Sequence, residues 1–160
     1  EKKGPAFADA ALLAGATCIV TPTPHTPPGL LRRAERLWRA LGMTTVRMTP
    51  AAHDRAAAGV SHLPHLLAGL LMLLPRQADL LVSAGGLRDM TRLAAGDPEV
   101  WRDILLTNRA ALQAAVAKLQ KALAQTARML RAGDAAALER LLAAAKRRRD
   151  ALPDKTAQKG

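Results

Sequence analysis

His53-Asp54-Arg55 and Ser61-His62-Leu63-Pro64-His65 lie in one apolar stretch, residues 51–75. Imidazole and hydroxyl groups donate and accept hydrogen bonds at neutral pH, and imidazole also moves protons there. At ~100° per residue, Ser61 and His65 fall about 40° apart on a helix and His62 and His65 about 60° apart. All three then share one edge of a pocket. Pro64 has no N–H to offer the carbonyl of Val60, so a bend is expected at that turn. Two readings stand side by side. The cluster hydrogen-bonds a ligand, or Ser61 bonds its preceding turn while the histidines bond backbone and water. The spacing lacks a His-Glu-x-x-His pattern and any nearby acidic or thiolate ligand, so no metal is expected.

Gly85-Gly86-Leu87-Arg88-Asp89-Met90-Thr91-Arg92 is a second constellation. Glycines ahead of a short helix, expected near 87–95, expose backbone N–H groups at its positive end, which suits an anion. Asp89 and Arg92 are i,i+3 neighbours, so the carboxylate is placed to orient the guanidinium. An oriented Arg presents two parallel donors to a carboxylate. An ordinary helix start with a surface ion pair fits the same spacing. No Gly-x-Gly-x-x-Gly or Walker sequence occurs in the 160 residues.

The elements that position these groups divide into two kinds. Residues 16–21 read as a short buried strand, followed by a Pro-rich loop, a helix capped by Thr26 and ended by Gly42, and a second strand over 43–48. Strand, helix and strand in about 33 residues make a parallel crossover unit. Two strands are marginal alone, so the unit is expected to belong to a larger sheet. After Thr49-Pro50 the pattern is helical only. Asp97-Pro98-Glu99 is a strong helix start, and the helix it opens is expected to run to about Ala132, stopped by Gly133. Trp101, Leu105, Asn108, Leu112, Ala115, Leu119, Ala122 or Leu123, Thr126 and Leu130 form a heptad-like seam along it. A last helix capped by Asp134 covers about 135–151. The fold class is therefore mainly α, with one β-α-β piece in front.

Composition narrows the functions. Ala and Leu dominate a 49% hydrophobic chain whose aromatics are Phe7, Trp38 and Trp101, a core suited to close-packed helices. The net charge of +11 raises nucleic acid as a partner. The excess is spread along the chain with no aromatic stacking platform, so a solvated basic surface is the better reading and nucleic acid is not expected. A lone cysteine, Cys18, fits a reducing cytosol and a cytoplasmic protein. Pro64 and two histidines interrupt the best apolar stretch, so no membrane span is expected. The chain opens on Glu-Lys-Lys-Gly-Pro without an initiator Met, which reads as a cut inside a longer protein.

Five segments occur in the order and spacing found in bacterial prephenate dehydrogenases. They are Val20-Thr21-Pro22-Thr23-Pro24, His53-Asp54-Arg55, Ser61-His62-Leu63-Pro64-His65, Gly85 to Arg92, and Asp97-Pro98-Glu99-Val100-Trp101-Arg102-Asp103-Ile104. From Glu1 to about Ala151 the chain resembles the C-terminal part of that family. The resemblance implies residues 1–48 as the last piece of a Rossmann-like NAD(P)-binding domain and 49–160 as an all-helical dimerisation domain. It implies oxidative decarboxylation of prephenate to 4-hydroxyphenylpyruvate, with NAD or NADP bound mainly by residues outside this chain. Glu1-Lys2-Lys3-Gly4 matches the Glu-Lys-x-Gly stretch that follows the family's His-Pro-x-x-Gly motif. The general-base histidine is thus expected just before Glu1, no catalytic residue is expected within the 160, and these residues alone are expected to be inactive.

What the resemblance carries over is substrate binding. Arg92 looks like the arginine that grips a prephenate carboxylate, with Asp89 beside it. His65 looks like the histidine that hydrogen-bonds the substrate, with Ser61, His53 and the Gly85–Gly86 backbone nearby. Trp101 walls the pocket or packs in the core. Leu87 and Met90 stand where the family often has a Phe and a small or aromatic residue, which alters pocket shape. Arogenate, with an amine in place of the keto group, is the alternative substrate, and a purely structural helical dimerisation module is the alternative role. A homodimer through the long helices is expected: the helix from Asp97 would span about 50 Å at 1.5 Å per residue, more than a compact domain of this size needs. Asn108 is expected to fix register in that seam.

Overall fold

The computed structural model describes Asp9 and residues 11–153. The Glu1-Lys2-Lys3-Gly4 stretch and the tail beyond Pro153 lie outside the described residues. The architecture is mainly helical with one small parallel sheet, as the sequence leads one to expect. β1 (Thr17–Val20) and β2 (Thr44–Arg47) pair in parallel with Thr17 opposite Thr44 and Val20 opposite Arg47. α1 (Pro28–Ala40) makes the crossover. Its N-cap is Pro27, with no side-chain cap. Thr26, expected as the cap, instead accepts from the Thr23 N–H at 2.9 Å and closes the Pro-rich loop. Gly42 adopts a φ of 80°, the left-handed conformation that ends α1 and turns the chain into β2.

One buried charge ties this unit together. Glu35 of α1 is 3% exposed. Its carboxylate takes a two-pronged hydrogen bond from Arg47 of β2, one prong through Nε and one from Nη2 at 2.6 Å. The Arg47 hydrogen bond holds the Glu35 carboxyl below the usual carboxylate range, against the opposing effect of burial. A parallel bidentate contact of this kind sets the angle of α1 on the sheet as well as its distance. Ile19 and Val46, paired on neighbouring strands, stay exposed on one face.

Thr49 caps the next segment, accepting from the Ala52 N–H at 3.2 Å with Pro50 in the first turn. α2 (Pro50–Ala57), a π turn (Ala58–His62) and α3 (Leu63–Leu73) follow one another without a break. A π turn marks the place of the expected bend. Leu63 N–H reaches back five residues to the carbonyl of Ala58, so the wider turn accommodates the ring and the missing N–H of Pro64. It corrects the expectation that Pro64 and the histidines interrupt the span. Pro50–Leu73 is 24 residues with a mean hydropathy of 1.5 in its most apolar window, long and apolar enough by length and composition to cross a membrane. α3 packs against α4 (Gly85–Thr91) and against a 3-10 turn (Arg92–Ala95).

Asp97 opens α5 (Pro98–Thr107) as expected, its carboxylate accepting from the N–H groups of Glu99 and Val100 at 3.0 and 3.3 Å. The single helix to Ala132 does not form. α5 stops at Asn108 (φ −104°, ψ 28°) and α6 (Arg109–Ala132) starts beyond it. The Asn108 amide donates to the carbonyl of Asp54 at 2.8 Å, and Asn is a residue whose short polar side chain competes with helix formation. The seam is therefore broken, and Asn108 bonds within its own chain. Leu112 is 8% exposed. Gly133 (φ 62°) ends α6 with a bond from Asp134 N–H to Met129 O, and Asp134 caps α7 (Ala135–Asp150) through the Ala137 N–H at 2.9 Å.

The chain forms two compact units that divide between Ala115 and Val116. In the first, the buried apolar side chains of α2 to α6 are mostly small, Ala58 and Ala68 with Leu112. In the second, Ala137 is buried while Leu123, Leu130 and Leu142 are exposed.

Candidate functional site

The site is built from α3, the 3-10 turn after α4, and the start of α5, all in the first unit. The π turn sets the phase of α3, and His65, one residue after Pro64, meets Trp101 from the first turn of α5. The two rings stack with centroids 3.4 Å apart and planes 13° from parallel. Gly96, just ahead of the Asp97 cap, lies against both. A Cβ there would stand 2.7 Å from His65 Cε1 and from Trp101 Nε1. Only a bare backbone fits.

Beside the stack lies a cavity of about 540 Å³ lined by His65, Trp101, Arg92, Gly96 and Asp97, with Leu93, Ala95, Val100 and Ile104 as its apolar wall. An apolar cavity with a few convergent polar groups is the usual form of a small-molecule site. Arg92 brings a permanent cation to its edge. Burial lowers the affinity of His65 for a proton, so the imidazole is held neutral. Its Nδ1 is buried without a hydrogen-bond partner among the described residues. Polar atoms are rarely left this way, and the exceptions concentrate where a fold holds a strained or functional group.

The structure thus brings three of the expected residues, His65, Arg92 and Trp101, to one cavity. The others stand outside its lining. His53 Nδ1 contacts Asp54 Oδ1 at 3.0 Å. Ser61 is exposed, although it lies one turn before His65. Gly85 and Gly86 are the first two residues of α4, after Ala84 as the N-cap, and are exposed, as is Asp89. The sequence reading missed Gly96 and Asp97 as site residues. A glycine directly before an Asp-Pro helix start was the available signal, since a turn can demand either a positive φ or close approach there. His62 stands behind Trp101, edge to face with centroids 6.4 Å apart, and its Nδ1 lies 3.1 Å from Asn108 Nδ2. Among the described residues no group of three or more His, Cys, Asp or Glu is arranged to hold a metal ion.

Residues 49–144 match the family described as prephenate dehydrogenase, dimerization domain. The chain is 35% identical over 119 residues to a cyclohexadienyl dehydrogenase of Zymomonas mobilis, covering 70% of this chain and 41% of that protein. It is 34% identical over 115 residues to a prephenate dehydrogenase of Bacillus subtilis, covering 68% and 31%. Among solved structures it resembles a prephenate dehydrogenase from A. aeolicus in complex with hydroxyphenyl propionate and NAD+. That likeness has a TM-score of 0.82 at 31% identity, over 94% of this chain and 55% of the other. A Synechocystis arogenate dehydrogenase matches with a TM-score of 0.78 at 28% identity, over 86% and 52%. The chain spans less than half the length of these two curated relatives.

Proposed function

This chain belongs to the prephenate dehydrogenase dimerisation-domain family, and from that premise we propose that it is the helical, substrate-binding part of an NAD(P)-dependent prephenate dehydrogenase. The observation that carries the reading is the convergence of Arg92, His65 and Trp101 on one largely apolar cavity. Prephenate offers two carboxylates and a ring hydroxyl on a small carbon frame, which suits one oriented cation, one hydrogen-bonding imidazole and an aromatic wall. Asp89, Ser61, His53 and the Gly85–Gly86 backbone, which stand outside the cavity lining, are assigned places around the same substrate by the family resemblance alone.

Residues 1–48 are assigned to the end of the nucleotide-binding domain and 49–160 to the dimerisation domain. Exposed Ile19 and Val46 on the small sheet support this, since such a face belongs against further structure. The 160 residues hold no Gly-x-Gly-x-x-Gly loop, so most contacts to NAD(P) are assigned to residues outside this chain. NAD(P), when bound, would supply the acceptor for the hydride that the ring carbinol gives up. This chain's residues bind and orient the substrate, and the proton of the carbinol is assigned to the family's His-Pro-x-x-Gly histidine, a motif that residues 1–160 do not contain. A cytoplasmic location goes with this reading. The likeness to an arogenate dehydrogenase keeps arogenate as the second substrate. Nicotinamide reduction by the full-length protein, assayed with prephenate and arogenate separately, decides between them. No reduction with either sinks the proposal.

The same protein is proposed to be a two-fold dimer through its helices. Support comes from Leu123 and Leu130 on α6, 58% and 63% exposed. Apolar side chains at that spacing on one helix are more exposed than a monomer's own packing requires. Light scattering at micromolar concentration is expected to report twice the chain mass. Leu123→Glu with Leu130→Glu is expected to give a folded monomer. Leu112→Glu, by contrast, is expected to unfold the chain, because that side chain is already buried. A wild-type monomer overturns the dimer.

A further inference from the structure

Asn108 does more than end α5. Its Nδ2 donates to the carbonyl of Asp54 at 2.8 Å and lies 3.1 Å from His62 Nδ1. The carbonyl fixes which way the amide faces: turned over, its oxygen would sit against another oxygen acceptor. With Nδ2 facing the ring, Asn108 is the donor and His62 Nδ1 has to be the acceptor. The proton of the neutral imidazole is then on Nε2, at the ring edge turned away from Asn108.

The ring so held stands edge to face against Trp101 at 6.4 Å, and Trp101 stacks on His65 at 3.4 Å. A chain of defined contacts therefore runs from the α2 backbone through Asn108, His62 and Trp101 to the cavity. Asn108 and His62 are not part of the cavity's lining. The π turn matters here, because His62 is its last residue and its direction depends on that wider turn.

We propose that Asn108 is a positioning residue for the site, locking His62 in its Nε2–H tautomer and through that ring holding Trp101 against His65. The proposal rests on the reading of the cavity as the substrate pocket, but its first test does not. In the full-length protein with 15N-labelled histidine, the His62 ring signals (identified by their loss in His62→Phe) are read at about pH 8, where an ordinary imidazole is neutral. Nδ1 is expected unprotonated and Nε2 protonated. Asn108→Asp keeps a residue suited to ending a helix yet offers only an acceptor, so it is expected to move the proton to Nδ1.

The second test is kinetic. Asn108→Ala is expected to raise the KM for prephenate about tenfold, the scale of one lost hydrogen bond, with the nucleotide KM and kcat little changed. Combined with His62→Phe, it is expected to add nothing to the single His62 change, since both remove the same contact chain. A His62 ring protonated at Nδ1 in the wild type, or unchanged by Asn108→Asp, overturns the proposal, as do additive effects in the double variant. If Arg92→Ala leaves KM unchanged while the nitrogen signals behave as expected, the substrate reading has failed and the tautomer lock stands.

Discussion

Arg92→Ala in the full-length enzyme is expected to raise the KM for prephenate roughly 30- to 1000-fold, the equivalent of losing a charge-assisted bidentate contact of about 2–4 kcal/mol. The expectation follows from where the guanidinium stands. It lines the edge of a cavity whose other walls are mostly apolar, so a carboxylate bound there leaves water for one main cationic partner. Nucleotide affinity is expected to change little. Arg92→Lys is expected to recover part of the loss, because an ammonium supplies the charge without the fork. Steady-state kinetics with substrate and nucleotide varied in turn measures both effects. Near-normal KM in Arg92→Ala moves the carboxylate site elsewhere, with Arg88 the next candidate.

Gly96→Ala is expected to damage the same site from the opposite side. The added Cβ would sit 2.7 Å from His65 Cε1 and Trp101 Nε1 and 2.8 Å from Trp101 Cδ1. These are atoms of two stacked rings rather than the ends of flexible chains, so the stack has to part. Overpacking of this kind costs about 1–3 kcal/mol, and the expected result is a lower Tm together with a KM for prephenate raised roughly 5- to 100-fold if the strain falls on the bound geometry. Gly69→Ala is the control. Nothing lies within 4 Å of a Cβ there, and alanine in a helix interior is expected to stabilise slightly. Unchanged melting and kinetics in Gly96→Ala would show that the site does not depend on the close approach.

These two residues mark the limits of reading the sequence. Arg92 was visible through the family resemblance, since spacing alone fitted an anion site and an ordinary helix start equally, and its expected neighbour Asp89 stands outside the cavity lining. Gly96 was not. Its role comes from rings 31 residues upstream and five residues downstream that meet only after α3 and α5 pack. The placement of Ser61 shows a different failure. A helical wheel reports which residues share a face, not how far along the helix a cavity wall extends: Ser61 is exposed while His65, one turn further on, lines the cavity.

What the residues determined alone was local. The Asp97 and Asp134 caps and the glycine turns at Gly42 and Gly133 depend on bonds spanning two to five residues and on backbone conformations few side chains adopt, and the order of the β-α-β elements follows from local patterning although its strands pair 27 residues apart. The motif set likewise placed the chain in its family before any geometry was known. What only the tertiary structure decided was the break at Asn108, the π turn before Pro64 and the selection of His65, Arg92 and Trp101 from the wider list. Asn108 has two outlets for its amide, a helix interior exposed to water or the Asp54 carbonyl and His62 ring 54 and 46 residues away. No local pattern reports which one is present. A helix continues or stops there according to whether a distant acceptor is in reach, and that is a property of the packed chain.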